Sequence, residues 1–157
     1  MRVLRSLLAL AIGSVILSGC LLQNLSATRQ LTDQVYALND EIRWARIDLA
    51  TERVSPDYRP EFLAQHRLWG HDIQIADSDC THVQISDDEG SATSLVTLSW
   101  YDERTMRLHT SVIQQRWVKT DNGFLLDLVQ VVGGDEGILA PPPEPEADAQ
   151  ASTDSHG

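Results

Sequence analysis

The sequence predicts an α+β domain in which a long N-terminal helix and a shorter helix pack on a curved antiparallel sheet of about four to five strands. Three observations predict this fold class. Apolar residues recur at steps of three and four up to about residue 70. From residue 72 onward they alternate with polar residues, and short turn sequences separate the alternating segments, as in consecutive hairpins.

The first helix is predicted from a stripe of apolar residues at helical spacing that extends from Leu31 to Leu49. Trp44 and Ile47 widen the stripe, so we expect this helix to pack on a broad, flat surface. The helix has to end before Pro56, because proline disfavours a helical conformation in the residue that precedes it.

A second, shorter helix is predicted over residues 60–69, with Gly70 placed to end it. Its larger side chains cluster on one side, where they can face a sheet. These side chains are Phe62, Leu63, His66 and Trp69.

Alternation of apolar and polar residues then predicts the strands. Two short runs end at Ile75 and Ile85, and a turn follows at residues 87–90. Asn122-Gly123 is a strong hairpin signal, since both residues accept the positive φ angles of tight turns. The longer strands are predicted at residues 92–101, 106–119 and 124–132, and the last is nearly all apolar and therefore central or covered.

The segment from Gln114 to Gln130, QQRWVKTDNGFLLDLVQ, resembles a hairpin common in the NTF2-like (SnoaL/DUF4440-type) superfamily. Trp117 and the Asp121-Asn122-Gly123 turn occupy the places of a large residue and a turn in that pattern. The resemblance extends over residues 30–133 and implies helices and a curved sheet enclosing a cone. In that superfamily the cone mouth can bind small molecules, and enzymes use cavity-facing Asp, His or Tyr residues as acid and base. The sheets of the superfamily commonly pair into dimers. A cystatin-like domain is the alternative fold.

The N-terminus predicts export. Arg2 and Arg5 precede an apolar run that ends at Leu17-Ser18-Gly19-Cys20, and these are the parts of a secretory signal peptide. With cysteine directly after Leu-Ser-Gly, the segment resembles the lipobox of bacterial lipoproteins, which implies cleavage after residue 19 and acylation of Cys20 with fatty acids such as palmitate. The acyl chains would anchor the protein to the cell envelope.

Two further points concern the anchor. The apolar run from Leu7 to Leu17 is shorter than the about 20 residues that a membrane-spanning helix needs, which disfavours an uncleaved span. Leu21, and not Asp, follows Cys20, which in a bacterium with two membranes implies sorting to the outer membrane.

The chain is strongly acidic. Its formal net charge is −11, and removal of residues 1–19 with their two arginines makes it about −13. Nucleic acid would repel such a chain, so we expect no nucleic-acid partner.

Taken together, these patterns predict a signal peptide at 1–19, a tether at 20–30, the α+β domain at 31–135 and a disordered, acidic, proline-rich tail at 136–157.

The polar run His71–His82 contains groups that could move protons, with Asp79 as a weak catalytic candidate. On a strand, successive side chains point to opposite faces, which would separate these groups instead of gathering them into one site. The simpler interpretation is that the acidic residues are solvated turn residues. Cys80 is the one thiol left once Cys20 is acylated, and we expect it to be buried. Metal-ligand spacings such as CxxC are not found in the sequence, so no metal site is predicted.

His109 is the more interesting candidate, because on a strand it shares a face with a row of apolar and hydrogen-bonding side chains. Such a row suits a pocket wall or a subunit interface. It includes Ser111 and the pocket or interface candidates Ile113, Gln115 and Trp117. His66 on the second helix could point into the same space, which makes His66 and His109 weak catalytic candidates.

These observations predict a lipid-anchored envelope protein whose domain binds a small ligand or a protein partner without catalysis. The first alternative is a lipid-anchored NTF2-like acid/base enzyme of hydrolase or isomerase type, using His109 with Asp79 or His66. The second is a structural module that forms a homodimer. The sequence shows no phosphate loop and no dinucleotide fingerprint, and we expect no cofactor.

Overall fold

The computed structural model describes residues 27–139, in which three helices pack against a curved four-stranded antiparallel sheet. The predicted α+β class is confirmed. Neighbouring strands in the sheet are also consecutive in the chain. The first helix, α1, occupies residues 27–43, and the later elements are α2 (Ile47–Glu52), α3 (Arg59–Gln65), β1 (Ile73–Ile85), β2 (Ser91–Asp102), β3 (Arg107–Thr120), β4 (Gly123–Gly134) and the 3₁₀ turn η1 (Glu136–Ile138).

The long helix predicted over residues 31–49 is broken in two. α1 ends in a Schellman motif, in which the Arg46 N–H donates to the Glu41 carbonyl oxygen at 2.8 Å. The Ala45 N–H donates to the Ile42 carbonyl oxygen at 2.9 Å, and Ala45 adopts the left-handed φ of 55° that the motif requires. α2 begins after this turn, so the prediction of one continuous helix was wrong.

The break decides which side chains of the predicted stripe are buried. Those before the turn lie in the core, namely Leu31, Val35, Leu38 and Ile42. Leu49 is exposed, and Trp44 is 65% exposed and does not widen the buried stripe. The Trp44 indole N–H instead donates to Asp40, in the last turn of α1, at 3.1 Å.

The connection after α2 is tied to both α1 and the sheet. The Arg53 guanidinium forms two hydrogen bonds with the Glu41 carboxylate, each of 2.9 Å, and this ion pair raises the pKa of Arg53. Val54 forms a parallel bridge with Leu126 of β4. The Ser55 N–H donates to the Leu126 carbonyl oxygen at 2.7 Å, so this segment covers part of the free edge of β4.

The second helix, α3, ends at Gln65, earlier than predicted, and the chain continues through turns to Gly70. Gly70 has a φ of 77°, and a Cβ atom there would lie 2.6 Å from the Cβ of Ala45. The close approach of the two turns therefore requires glycine. On the predicted apolar side Leu63 is exposed, whereas Phe62, His66 and Trp69 are buried.

The sheet begins with one long strand where two short ones were predicted. β1 continues from Ile73 to Ile85 because two register irregularities, after Ile75 and after Cys80, absorb the breaks in its alternation. The β2–β3 register has no irregularity. The predicted hairpin joins β3 to β4, although the positive φ, 126°, belongs to Gly123 and not to Asn122.

The ordered domain extends past the predicted boundary at residue 135. Ile138 in η1 is fully buried, and its carbonyl oxygen accepts a hydrogen bond from the Trp69 indole N–H at 2.7 Å. Residues 136–139 of the predicted tail thus pack on the domain, and residues 27–30 of the predicted tether are helical. The predicted signal peptide, Cys20 and the predicted tail from residue 140 lie outside the described residues. Within 27–139, no helix has the length and apolarity needed to cross a membrane.

Candidate functional site

His109 and Asp135 form a hydrogen-bonded pair near the turn that joins β2 to β3. His109 Nδ1 lies 2.6 Å from Asp135 Oδ2, and both side chains are partly exposed. A carboxylate that accepts the Nδ1–H fixes the tautomer of a neutral imidazole and leaves Nε2 as a hydrogen-bond acceptor. Within residues 27–139, Nε2 of His109 has no hydrogen-bond partner. The ring is therefore oriented on one side and available on the other.

A second set of contacts holds the imidazole ring in place. His109 pairs across the strands with Trp100, and the two rings stack with centroids 4.5 Å apart and planes 17° from parallel. The Trp100 indole N–H donates to the Ser111 hydroxyl at 2.9 Å, and this hydroxyl donates to the Asp135 carbonyl oxygen at 2.5 Å. The Trp100 ring and the backbone of Asp135 are thus linked through one hydroxyl group.

Gly134 brings Asp135 into reach of His109. Gly134 has a φ of 78°, and a Cβ atom there would collide with the Thr110 carbonyl oxygen. The Asp135 N–H donates to that same carbonyl oxygen at 2.9 Å, so the chain passes close to β3 directly after the glycine. β4 ends at Gly134, two residues beyond the strand end predicted at residue 132.

The Asp135 carboxylate is held in its ionised form. Its pKa is lowered, first by the Gly137 backbone N–H that donates to Oδ1 at 2.8 Å and then by the hydrogen bond with His109. The Gly137 N–H engages Oδ1 and His109 engages Oδ2, so the carboxylate is held in position to orient the imidazole.

The pair adjoins an open cleft of about 320 Å³, which is at the lower end of the range for small-molecule sites. Its apolar lining comes from Leu68, Ile73 and Trp100. Its polar lining comes from side chains at the start of β1, the β2–β3 turn and the start of β3, namely Asp72, Asp102, Arg104, Thr105, Arg107 and His109. Gly137 completes the lining.

The cleft lining contains four charged side chains, and three of them form ion pairs or hydrogen bonds within the protein. Arg104 forms an ion pair with Asp72 at 2.6 Å, and Asp102 Oδ1 accepts the backbone N–H groups of Arg104 (2.7 Å) and Thr105 (3.1 Å). Arg107 forms no side-chain hydrogen bond or ion pair within the part of the chain that the structure describes. Its guanidinium is therefore a cation that a ligand can bind, whereas the carboxylate of Asp102, its cross-strand partner, already accepts two backbone hydrogen bonds.

His66 does not form the predicted pair with His109. It is 1% exposed and stacks on Phe62, with centroids 4.1 Å apart, and against Trp69. Its Nδ1–H donates to the Phe62 carbonyl oxygen at 2.7 Å, and its Nε2 is buried without a hydrogen-bond partner. Burial lowers the pKa of His66 to about 4, so it is a neutral core residue at neutral pH.

The pocket or interface candidates of β3 lie in the core. Ile113, Gln115 and Trp117 are fully buried, and none of them lines the cleft. The face that they share with His109 is therefore the inner, helix-facing side of the sheet. The Gln115 amide is satisfied there, since its Nε2 donates to Asn39 at 3.0 Å and its Oε1 accepts the Ser94 hydroxyl at 2.9 Å.

The candidates on β1 are also distant from His109. Asp79 pairs with Thr97, which lies three residues before the Trp100 that pairs with His109, and Asp79 is exposed. Cys80 is half-buried, and burial raises the pKa of its thiol, which favours the protonated, unreactive form.

The sequence analysis missed two important residues of the site, namely Arg107, which lines the cleft, and Asp135, which orients His109. Arg107 had a detectable signal, because on a strand it shares a face with His109. Asp135 had only a weak one, its position directly after two glycines that end a strand. An unbroken register from the Thr120↔Gly123 pair would place it opposite Leu108, and two irregularities in β4 shift it.

The chain matches no protein-family model, and the comparison with curated proteins also finds no match. Among the described residues, no group of three or more His, Cys, Asp or Glu side chains could hold a metal ion.

Proposed function

We propose that the protein is an envelope lipoprotein, anchored through Cys20, whose NTF2-like domain binds a small ligand in the cleft beside His109. The observation that carries the binding function is the oriented His109 imidazole and the free Arg107 guanidinium lining one cleft. Polar groups that are left unpaired in a concave, partly apolar site, here Nε2 of His109 and the Arg107 guanidinium, are typical of ligand recognition.

The NTF2-like assignment is supported by helices packed on a curved sheet of four consecutive antiparallel strands. The Trp117 and Asp-Asn-Gly hairpin that suggested it joins the two long strands β3 and β4. The space that would be a cone interior contains the side chains of Ile113, Gln115 and Trp117, so the proposed site is the cleft near the β2–β3 turn.

Ligand binding can be tested by a fragment screen on the mature chain carrying Cys20→Ser, monitored by the indole N–H signals of its tryptophans in NMR spectra. We expect bound fragments to shift the Trp100 signal and leave that of exposed Trp44 unchanged. Thr105→Trp places a large ring at the cleft and should abolish the shifts. Thr120→Trp, a matched exposed position in the opposite turn, should not. Shifts that persist in Thr105→Trp, or an unresponsive Trp100, would contradict the proposal.

The anchor can be tested by metabolic labelling with a palmitate analogue in a bacterial host. The two cysteines provide a matched pair of variants. We expect label in the wild-type protein and in Cys80→Ser, and none in Cys20→Ser, because acylation requires the thiol that follows the lipobox. Label that persists in Cys20→Ser would exclude the lipoprotein assignment.

A second candidate function is acid/base catalysis, and the His109–Asp135 hydrogen bond is the observation that favours it. An oriented imidazole with a free Nε2 can serve as a general base. An enzyme would lose most of its kcat on His109→Gln and part of it on Asp135→Asn, whereas His71→Gln at an exposed position would have no effect. If the kcat of His109→Gln equals that of the wild type on a panel of ester and isomerisation substrates, acid/base catalysis at this site is excluded.

A further inference from the structure

Resting on the proposed ligand-binding function, we infer that the cleft selects a small monocarboxylate with an apolar body. Arg107 binds the carboxylate, and the apolar part lies against Trp100, Leu68 and Ile73. The inference follows from the charges left unsatisfied, the size of the cleft and the position of its apolar wall.

The sign of the ligand charge follows from the partners of the lining side chains. Asp72 is neutralised by Arg104, and Asp102 accepts two backbone N–H groups through one oxygen. Arg107 has no side-chain partner within residues 27–139. A cationic ligand would have to displace Arg104 from Asp72, or bind Asp102 beside the positive charge of its cross-strand partner Arg107. An anion meets a guanidinium that forms no ion pair among the described residues.

The number of negative charges on the ligand is inferred from the charged side chains in and near the cleft. The cleft lining contains two arginines and two aspartates, and Asp135 lies just behind His109. One free guanidinium matches one negative charge. A dianionic phosphate monoester would bring a second charge close to Asp102 and Asp135, without a further free cation to meet it. A carboxylate also fits the guanidinium through two parallel hydrogen bonds.

The His109 tautomer indicates which chemical group the ligand carries next to its carboxylate. Arg107 and His109 share a face of β3, and their cross-strand partners are Asp102 and Trp100. Because Asp135 engages Nδ1, a neutral His109 presents Nε2 as an acceptor. A hydroxyl or N–H group close to the carboxylate can donate to it. The apolar side chains of the lining then accommodate the rest of the ligand, in a volume of about 320 Å³.

The test uses 3-phenylpropionate and its neutral analogue 3-phenylpropanamide as probes, titrated into the mature Cys20→Ser chain and followed by the Trp100 indole signal. We expect the carboxylate to bind about tenfold more tightly than the amide, since a hydrogen-bonded charge contributes roughly that factor. Arg107→Gln should remove this preference by weakening the carboxylate alone. Arg116→Gln, which removes an exposed arginine paired with Asp127, should leave both affinities unchanged.

The outcomes separate the ligand class from the binding function. Equal affinities for carboxylate and amide at the cleft, or a preference that survives Arg107→Gln, overturn the inference and leave the binding function standing. Tighter binding of phenyl phosphate than of the carboxylate also overturns it. If neither probe shifts Trp100, the monocarboxylate inference fails, and the fragment screen decides separately whether the cleft binds anything. Retained dispersion of the other tryptophan signals checks that Arg107→Gln is folded.

Discussion

At the scale of single residues, His66 is a fully buried titratable side chain whose protonation is unfavourable. It is enclosed by Phe62 and Trp69, and its buried Nε2 forms no hydrogen bond with the described residues. Protonation would place a charge in an apolar environment, which is why burial lowers the pKa of His66 to about 4. The one compensating contact is the hydrogen bond from Nδ1 to the Phe62 carbonyl oxygen.

This burial predicts a pH dependence of stability. An unfolded histidine has a pKa near 6.5, so between about pH 6.5 and pH 4 the unfolded chain binds more protons than the folded one. The free energy of unfolding should therefore fall as the pH is lowered through this window, by up to about 3 kcal/mol from His66 alone. The measurement is urea denaturation of the wild type and His66→Leu at several pH values.

The contribution of His66 is the difference between the two pH profiles, because carboxylates titrate in the same range. The His66→Leu profile should be flatter than that of the wild type. His71→Gln, which changes an exposed histidine, should follow the wild type. If wild type and His66→Leu lose stability in parallel on acidification, His66 is not the buried neutral group that its surroundings indicate.

At the scale of elements, a buried hydrogen-bond network fixes α1 on the sheet. Asn39 of α1 and Gln115 of β3 exchange two amide hydrogen bonds, of 3.0 and 3.3 Å. The Ser94 hydroxyl on β2 donates to Gln115 at 2.9 Å and accepts the Trp117 indole N–H at 3.0 Å. Because each member satisfies another, the network specifies how the helix sits on the strands.

A double-mutant cycle on Asn39 and Gln115 tests this network. Asn39→Leu leaves the Nε2 group of Gln115 without a hydrogen bond, and Gln115→Leu leaves the Oδ1 atom of Asn39 without one. Each variant alone should therefore cost about 1–3 kcal/mol of unfolding free energy. The double variant should cost clearly less than the sum, because it removes both amides. The matched control is the exposed pair Gln114 and Gln130, joined by a 2.8 Å hydrogen bond, whose leucine variants should change stability by less than about 0.5 kcal/mol. Additive costs in the buried pair would contradict the network.

The elements also show which features of the fold the spacing of apolar residues predicts and which it does not. The change from helical to alternating spacing predicted the class and the approximate places of the strands, because burial of one face dictates both patterns. The break at Ala45 was not predictable, since alanine favours helix and its left-handed φ depends on packing against Gly70. The irregularities of β4 carry no sequence signal, and they decide that Asp135 meets His109.

At the scale of the whole molecule, the two faces of the sheet differ sharply. The inner face packs on the helices, whereas the outer face of β2 and β3 is an uncharged surface over most of its length. Its residues are Thr93, Leu95, Thr97, Ser99 and Tyr101 on β2 and Leu108, Thr110, Val112 and Gln114 on β3. In a chain with a net charge of −11, such a face is where two copies can approach with the least repulsion.

We therefore propose that the homodimer considered from the sequence forms through this outer face. Sedimentation equilibrium of the mature Cys20→Ser chain should show a mass that increases with concentration toward that of a dimer. Val112→Arg, at the Thr97↔Val112 pair, should keep the chain monomeric, because each copy would bring a desolvated charge to the interface. Leu63→Arg on exposed α3 adds the same charge elsewhere and should dimerise like the wild type. A wild-type chain that stays monomeric at high concentration, or equal association of both variants, would rule out this face, since the uncharged surface would then serve no contact between copies.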